Sequence, residues 1–339
     1  MSSPTPASFT GLSYAELSRG LGSATRAKAA LKWLYRDGLP ERLPERVPGV
    51  AHQAWSRLRL LHPIPSWRLL AERKSEDGTT KLAVDFDGAK VETVLIPGPQ
   101  RSTVCVSSQA GCTRNCAFCA TAKLGFLRNL TAGEIVAQYV LAQRLAPAGR
   151  AARNVVFMGM GEPLDNLEHV LAAVELLTQA PYPALSPAHV TVSTAGVVPQ
   201  MRRFLRASKA SLALSLNATT DAVREKLMPH NALWPIAKLL ETLREHAQDR
   251  ETFIEYVLFH GVNDSPEDAA RLGELLRGVP ARINVIPFNG NEGSGFVPPS
   301  DEQVVAFQKT VAASGIRTLV RWPRGREIAA ACGQLANRV

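Results

Sequence analysis

Residues 102–119 read STVCVSSQAGCTRNCAFC. The first seven are small, apolar and partly β-branched, the make-up of a buried strand, and they run into a loop carrying Cys112, Cys116 and Cys119. Similar short β-rich runs recur in NVVFMGM (154–160), HVTVST (189–194), LALSLN (212–217), FIEYVLF (253–259), RINVIPF (282–288) and RTLVRW (317–322), with helical stretches between them. Strands alternating with helices imply βαβ units and a parallel sheet. Six or seven such units in roughly 220 residues predict an α/β fold, a partial (β/α)6-type barrel whose reactive groups gather at the C-terminal ends of its strands. Several strand ends are suitably polar: GMGEP (159–163), Ser193-Thr194, Ser215-Leu216-Asn217 and Asn289-Gly290.

Working outward, KLAVDF (81–86) and KVETVLIP (90–97) alternate and meet at Asp87-Gly88, a strong hairpin signal. Before them, SYAELSRGLG (13–22) and ATRAKAALKWLYRDG (24–38) read as short helices, the second placing Ala30, Leu31, Leu34 and Tyr35 at helical spacing. The expected organisation is a helical domain over residues 1–75, a linking β-hairpin over 76–97, and the barrel with its C-terminal segment over 98–339. Thr131-Ala132-Gly133-Glu134 opens an apolar run as a capping box, which fixes a helix and carries no chemistry.

The chain has 339 residues, 45% of them apolar, and a formal charge of +9. It is long enough to bury a sizeable core, and its composition excludes disorder. Residues 1–73 hold eleven Lys or Arg against five Asp or Glu, six of the nine excess charges. A basic surface suits a polyanion, because neutralising phosphates releases counterions; a solvated face or a compositional bias towards Arg would give the same count. No run approaches the ~20 apolar residues of a membrane span, so no membrane association and a cytoplasmic location are expected.

Cys112, Cys116 and Cys119 form Cys-x3-Cys-x2-Cys. Thiolates this close converge on one soft centre, and three ligands on a four-iron cluster leave one iron open. A structural zinc site needs a fourth ligand, which Cys105 or a distant His would have to supply. Cys105, on an apolar strand, reads by itself as a buried structural thiol, and Glu92 as the outward polar position of an alternating strand.

CVSSQAGCTRNCAFCATAKLGFLRNLTAGEI (105–135), VVFMGMGEPLDN (155–166), VTVSTAGVVP (190–199), NVIPFN (284–289) and AACGQL (330–335), in that order, resemble the RlmN/Cfr family of radical S-adenosylmethionine RNA (adenine) methyltransferases, its RlmN-like branch in particular. The likeness spans roughly residues 80–336 and implies a radical S-adenosylmethionine barrel. It further implies a [4Fe-4S] cluster on Cys112, Cys116 and Cys119, with S-adenosylmethionine bound near Gly161, Glu162, Ser193, Ser215, Leu216, Asn217 and Asn289. Two S-adenosylmethionine molecules are consumed per methylation. Cys332 matches the cysteine that is first methylated, Cys105 the one that resolves the RNA adduct through a transient disulfide with Cys332, and Glu92 the proton acceptor. The implied substrate is adenine in ribosomal RNA and possibly tRNA, at C2, with two alternatives: C8, as in the Cfr-like branch, or another RNA, as for a divergent family member. The implied partners are RNA and an electron donor such as flavodoxin or ferredoxin, the enzyme itself being a monomer.

Two stretches depart from the family's commoner pattern. Before the terminal cysteine that pattern is R-G-D-D-I-D-A-A-C, where Arg324-Gly325-Arg326-Glu327-Ile328-Ala329-Ala330-Ala331-Cys332 stands here. Ser215-Leu216-Asn217 replaces S-L-H, exchanging an imidazole for an amide. The chemistry survives both changes; the manner in which RNA is held is what they put in question.

Overall fold

Asp87 and Gly88 both adopt positive φ, 52° and 83°. This is the twist that lets a two-residue turn join right-twisted strands, and Gly88 N–H donates to Asp85 Oδ1 at 2.6 Å. In a computed structural model of the chain, which describes residues 7–246, 251–290 and 294–336, the hairpin is the middle of an antiparallel sheet. Helices α1 (Tyr14–Leu21), α2 (Ala24–Asp37) and α3 (His52–Leu61) precede strands β1 (Arg68–Lys74), β2 (Thr80–Phe86) and β3 (Ala89–Ile96). Strand β1 lies within the stretch read as helical; it is charged and largely exposed, and only its pairing with β2 defines it.

Then come β4 (Ser102–Cys105), β5 (Gln109–Gly111), β6 (Phe126–Asn129), α4 (Ala132–Gln143), β7 (Ala152–Phe157), α5 (Leu167–Thr178), β8 (Val190–Thr194), α6 (Val198–Ala207), β9 (Ser211–Ser215), α7 (Asp221–Leu227), α8 (Ile236–Glu245), β10 (Thr252–Leu258), α9 (Pro266–Leu275), β11 (Ala281–Pro287), α10 (Asp301–Ala312) and β12 (Thr318–Val320). The large sheet runs β1-β2-β3-β4-β7-β8-β9-β10-β11-β12, and β5 and β6 form a separate pair. From β4 to β12 every neighbour is parallel. All seven strand runs read from the sequence are present as this parallel series. The sheet curves into a partial barrel, since Ile96 and Cys105 at one end of the series face the same cavity as Ile286 and Arg321 at the other.

One hydrophobic core runs from Phe9, Trp55 and Leu34 of the N-terminal region through the helices packed on the barrel. Helix α4 is buried on nearly all sides because it lies between that region and the sheet. Its capping box forms as expected, with Glu134 N–H donating to Thr131 Oγ1 and Thr131 N–H to Glu134 Oε2. Glu134 also pairs with Arg128 at 2.7 Å, and Arg128 donates to Phe86 O, so Arg128 ties β6 to β2 and is architectural. Thr10 Oγ1 donates to Gly133 O, Tyr14 N–H to Gln179 and Gln143 to Tyr35 O, which lock the helical region to α4 and α5.

Candidate active site

Strand β4 ends at Cys105, and its continuation is clamped by Gln138, whose amide accepts from Ser107 N–H at 2.8 Å and donates to Ser107 O at 3.0 Å. The chain then turns through Gly111, at φ +78°, where a Cβ would collide with the Gly125 carbonyl; only glycine lets β5 meet β6 there. The loop that follows is fixed by Cys112 N–H to Gly125 O (2.8 Å), Ala117 N–H to Leu227 O (2.9 Å) and Ala120 N–H to Gly333 O (2.8 Å).

The three loop cysteines are half-buried and line one cavity of about 170 Å3 at the C-terminal ends of the parallel strands. Burial pushes the Cys112 thiol up to about 12 and raises Cys116 as well. Cys112 and Cys116 therefore stay as thiols until a cationic centre displaces their protons. Among the described residues no three His, Cys, Asp or Glu side chains close on a single ion, as zinc with bonds of about 2.3 Å to sulfur requires. Three thiols spread around a roomy cavity fit a multinuclear iron–sulfur group, with one side left open to it.

Gly161, Glu162, Ser193, Ser215, Asn217 and Asn289 all line this cavity. Gly161, at φ +100°, is glycine because a Cβ would meet Gln109 at 2.6 Å; packing against β5, more than approach to a cofactor, demands it. Glu162 is buried and pinned, accepting from Leu164 N–H at 3.0 Å and Ala195 N–H at 2.8 Å. Burial raises its pKa while these bonds oppose the rise. The hydroxyls of Ser193 and Ser215 lie 3.5 Å apart.

Asn217 stands at φ 57°, a conformation Asn tolerates better than most residues. Its Oδ1 accepts from Val257 N–H at 2.9 Å and its Nδ2 donates to the Met228 sulfur, so the amide is engaged in positioning the β9 end. Leu216 departs from the expectation: its side chain is fully buried in the core and does not line the cavity. Arg224, fully buried, donates to the carbonyls of Ala195, Ser215 and Leu216 and so clamps the ends of β8 and β9 beneath the site.

A second cavity, of about 220 Å3, is lined by Cys105, Arg321, Trp322 and Arg324 among others. Cys332, Met158, Ile286 and Asn289 border both cavities. Cys332 is thus the partition: it faces open space, and that space is the two cavities, while surrounding atoms desolvate its thiol and raise it. Cys105 is buried and pushed up to about 12, first by desolvation and then by its neighbour Cys332; Arg321 acts the other way. Arg321 is held by Glu255 at 3.2 Å, and Glu255 in turn accepts from Asn284 at 2.8 Å. Reading the sequence motif by motif misses this pair, although the signal is there: a carboxylate amid the apolar run FIEYVLF and an arginine closing TLVR.

The segment 324–336 is strapped across the barrel mouth. Arg324 pairs with Asp77 at 2.7 Å, Glu327 accepts from Ser75 Oγ and Glu76 N–H, Lys81 donates to Ala329 O, and Thr121 Oγ1 donates to Leu335 O at 2.6 Å. The departures from the commoner pattern are accommodated here: Arg326 Nε donates to Asn289 Oδ1 at 3.1 Å, and Ala329, at φ 50°, accepts from Lys81 through its carbonyl and donates its N–H to Arg326 O at 3.0 Å.

Glu92 is not the outward polar position that the alternation of its strand suggests; its carboxylate is desolvated in the interior. It is fully buried, 2.8 Å from Lys81 Nζ, accepts from Ala336 N–H at 2.9 Å, and lines neither cavity. The registers Lys81↔Val94 and Val94↔Cys105 nevertheless put Lys81, Glu92 and Cys105 on one face of the sheet.

The pattern of the radical SAM superfamily matches residues 106–273. The chain is 44% identical to the dual-specificity RNA methyltransferase RlmN of Anaeromyxobacter dehalogenans (strain 2CP-C), covering 95% of this chain and 89% of that one. It is 47% identical to a probable RNA methyltransferase of Sorangium cellulosum (strain So ce56), covering 85% and 74% respectively. The crystal structure of a radical SAM methyltransferase from Sphaerobacter thermophilus matches with a TM-score of 0.91 at 38% identity, covering 98% of this chain and 100% of that one.

Proposed function

Because the chain belongs to the RlmN-like RNA methyltransferases of the radical SAM superfamily, we propose that it methylates adenine at ring carbon C2, in ribosomal RNA and tRNA, through a methyl group carried on Cys332. The observation that carries this reading is the place of Cys332 between the two cavities, with the cysteine loop on one side and Cys105 on the other.

In the first cavity Cys112, Cys116 and Cys119 would hold a [4Fe-4S] cluster, which with two successive molecules of S-adenosylmethionine would supply methyl-transfer and hydrogen-atom-abstraction chemistry. Glu162, Ser193, Ser215, Asn217 and Asn289 orient the cofactor, and Arg326 fixes the amide of Asn289 so that its NH2 is left to donate. Cys332 would take the methyl group on its sulfur, give up a hydrogen atom from it and join adenine through the remaining methylene, the adduct then losing one electron to the iron–sulfur centre and one proton from its ring carbon.

The second cavity receives the adenine. Trp322, 45% exposed at its rim, offers an indole face for stacking. Cys105 then attacks the Cys332 sulfur, the sulfur–carbon bond breaks, the thiol proton of Cys105 ends on the departing methylene carbon to complete the methyl group, and methylated RNA leaves as the two cysteines form a disulfide. Glu92 accepts the proton lost from the ring carbon, reached once the tail at Ala336 lifts from its carboxylate. An electron donor such as flavodoxin or ferredoxin serves a monomeric enzyme, and residues 1–75 help to dock the RNA. No helix of the described residues is long and apolar enough to cross a membrane.

The test follows the methyl group. Anaerobically reconstituted protein given methyl-labelled S-adenosylmethionine without RNA acquires label on Cys332 alone, found by peptide mass spectrometry. Added RNA and unlabelled S-adenosylmethionine then move that label into adenine. Label reaching RNA from a Cys332→Ala variant would remove the intermediate from the scheme.

A further inference from the structure

The cavities described so far occupy the C-terminal ends of the parallel strands. At the opposite end, where β4, β7 and β8 begin, lies a cleft of about 740 Å3 between the barrel and α2, bordered by Lys32, Tyr35, Arg36, Arg153 and Tyr182. Through Arg153 it continues into a cleft lined by Arg101, and through Lys32 and Arg36 into one beside Trp33. Four cations border this groove and no carboxylate lines it. Asp37 offsets Arg36 at 2.7 Å, whereas Lys32 and Arg153 have no acidic partner among the described residues. Arg101 meets only His189, at 2.9 Å. The aromatic rings of Tyr35 and Tyr182 are half-buried between the cations.

We infer that this rear groove is a second RNA-binding surface, one that grips the sugar–phosphate backbone of a folded substrate at a distance from the base being modified. The inference rests on the RNA reading above. Unpaired cations lining a groove attract a polyanion, because bringing phosphates to them releases condensed counterions, and interleaved aromatic faces accept sugars or bases. Backbone contacts of this kind carry no sequence information; they set the register in which one base meets the chemistry. The six residues of β7, at about 3.3 Å each, put the groove roughly 20 Å from the catalytic face. A short stem-loop bearing the target adenine therefore reaches the catalytic face alone, whereas tRNA or a large ribosomal RNA fragment spans both.

The experiment uses cluster-loaded full-length protein and the triple variant Lys32→Gln, Arg101→Gln, Arg153→Gln, none of which touches the two catalytic cavities. Affinity for a tRNA transcript and for an isolated stem-loop is measured by fluorescence anisotropy over a series of salt concentrations, with label transfer to Cys332 in the absence of RNA as the control. The inference predicts weaker tRNA binding by about 10- to 100-fold at low salt and a slope of log affinity against log salt shallower by about 2, from three lost phosphate contacts. Stem-loop binding and Cys332 methylation stay at wild-type levels. Equal tRNA affinity and slope in variant and wild type, with RNA still methylated, would overturn the groove and leave the enzymatic reading standing. A wild-type protein that methylates Cys332 and labels no RNA would take both down.

Discussion

Replacing Cys105 with alanine is expected to stop the enzyme after one round, with RNA held covalently on Cys332. Cys105 borders the cavity that Cys332 faces, and the other three cysteines sit on the loop assigned to the cluster, so no second thiol is placed to break the adduct. Steps before resolution use Cys332 and the first cavity and should proceed. Free methylated RNA should fall by at least on the order of 10^3-fold, the scale on which losing an attacking nucleophile acts. The protein should instead run as an RNA conjugate that survives denaturation. Normal release of free product would leave Cys105 as a packing residue on β4.

The second large effect concerns Glu92, and the structure changes how its loss must be read. Glu92 and Lys81 form a fully buried ion pair. Glu92→Gln alone strands the ammonium in the core, a loss that costs about 3–5 kcal/mol and lowers the melting temperature whatever the catalytic role of the carboxylate. Pairing it with Lys81→Met removes both charges, and replacing a buried pair by neutral groups of similar volume is close to neutral. The double variant is therefore expected to recover most of the lost stability by thermal denaturation, to methylate Cys332, and still to leave RNA unmethylated. Recovery of RNA methylation together with stability would show that Glu92 acts as half of an ion pair and not as the proton acceptor.

Much of this was legible in the sequence because the signals are local. Seven apolar runs with polar ends gave the parallel series, since a strand covered on both faces has nowhere to place charge. The cysteine spacing and the capping box at Thr131 declared themselves within a few residues. What stayed hidden depends on contacts between distant parts of the chain. Strand β1, RLLAERK, has the composition of an exposed segment and becomes a strand only through β2. The three-residue β5 is fixed by β6, beyond the cysteine loop. Lys81, eleven residues from Glu92, becomes its partner because the hairpin puts both on one face, and Arg321 meets Glu255 only when β12 joins the sheet beyond β11. Leu216 sits inside a motif whose neighbours reach the cavity, but just past the end of β9, where its N–H still pairs with Glu255 O of β10, its side chain turns into the core.

The central claim is that this chain places a methyl group on a ring carbon of adenine in RNA. It is tested most directly by incubating the anaerobically reconstituted protein with methyl-labelled S-adenosylmethionine, a reductant and unmodified ribosomal RNA and tRNA, then digesting the RNA and identifying labelled nucleosides by mass spectrometry. The account predicts a brown, iron- and sulfide-containing protein and labelled 2-methyladenosine. Labelled 8-methyladenosine would move the reaction to the other ring carbon, and a colourless protein holding one zinc ion and leaving RNA unlabelled would contradict the account.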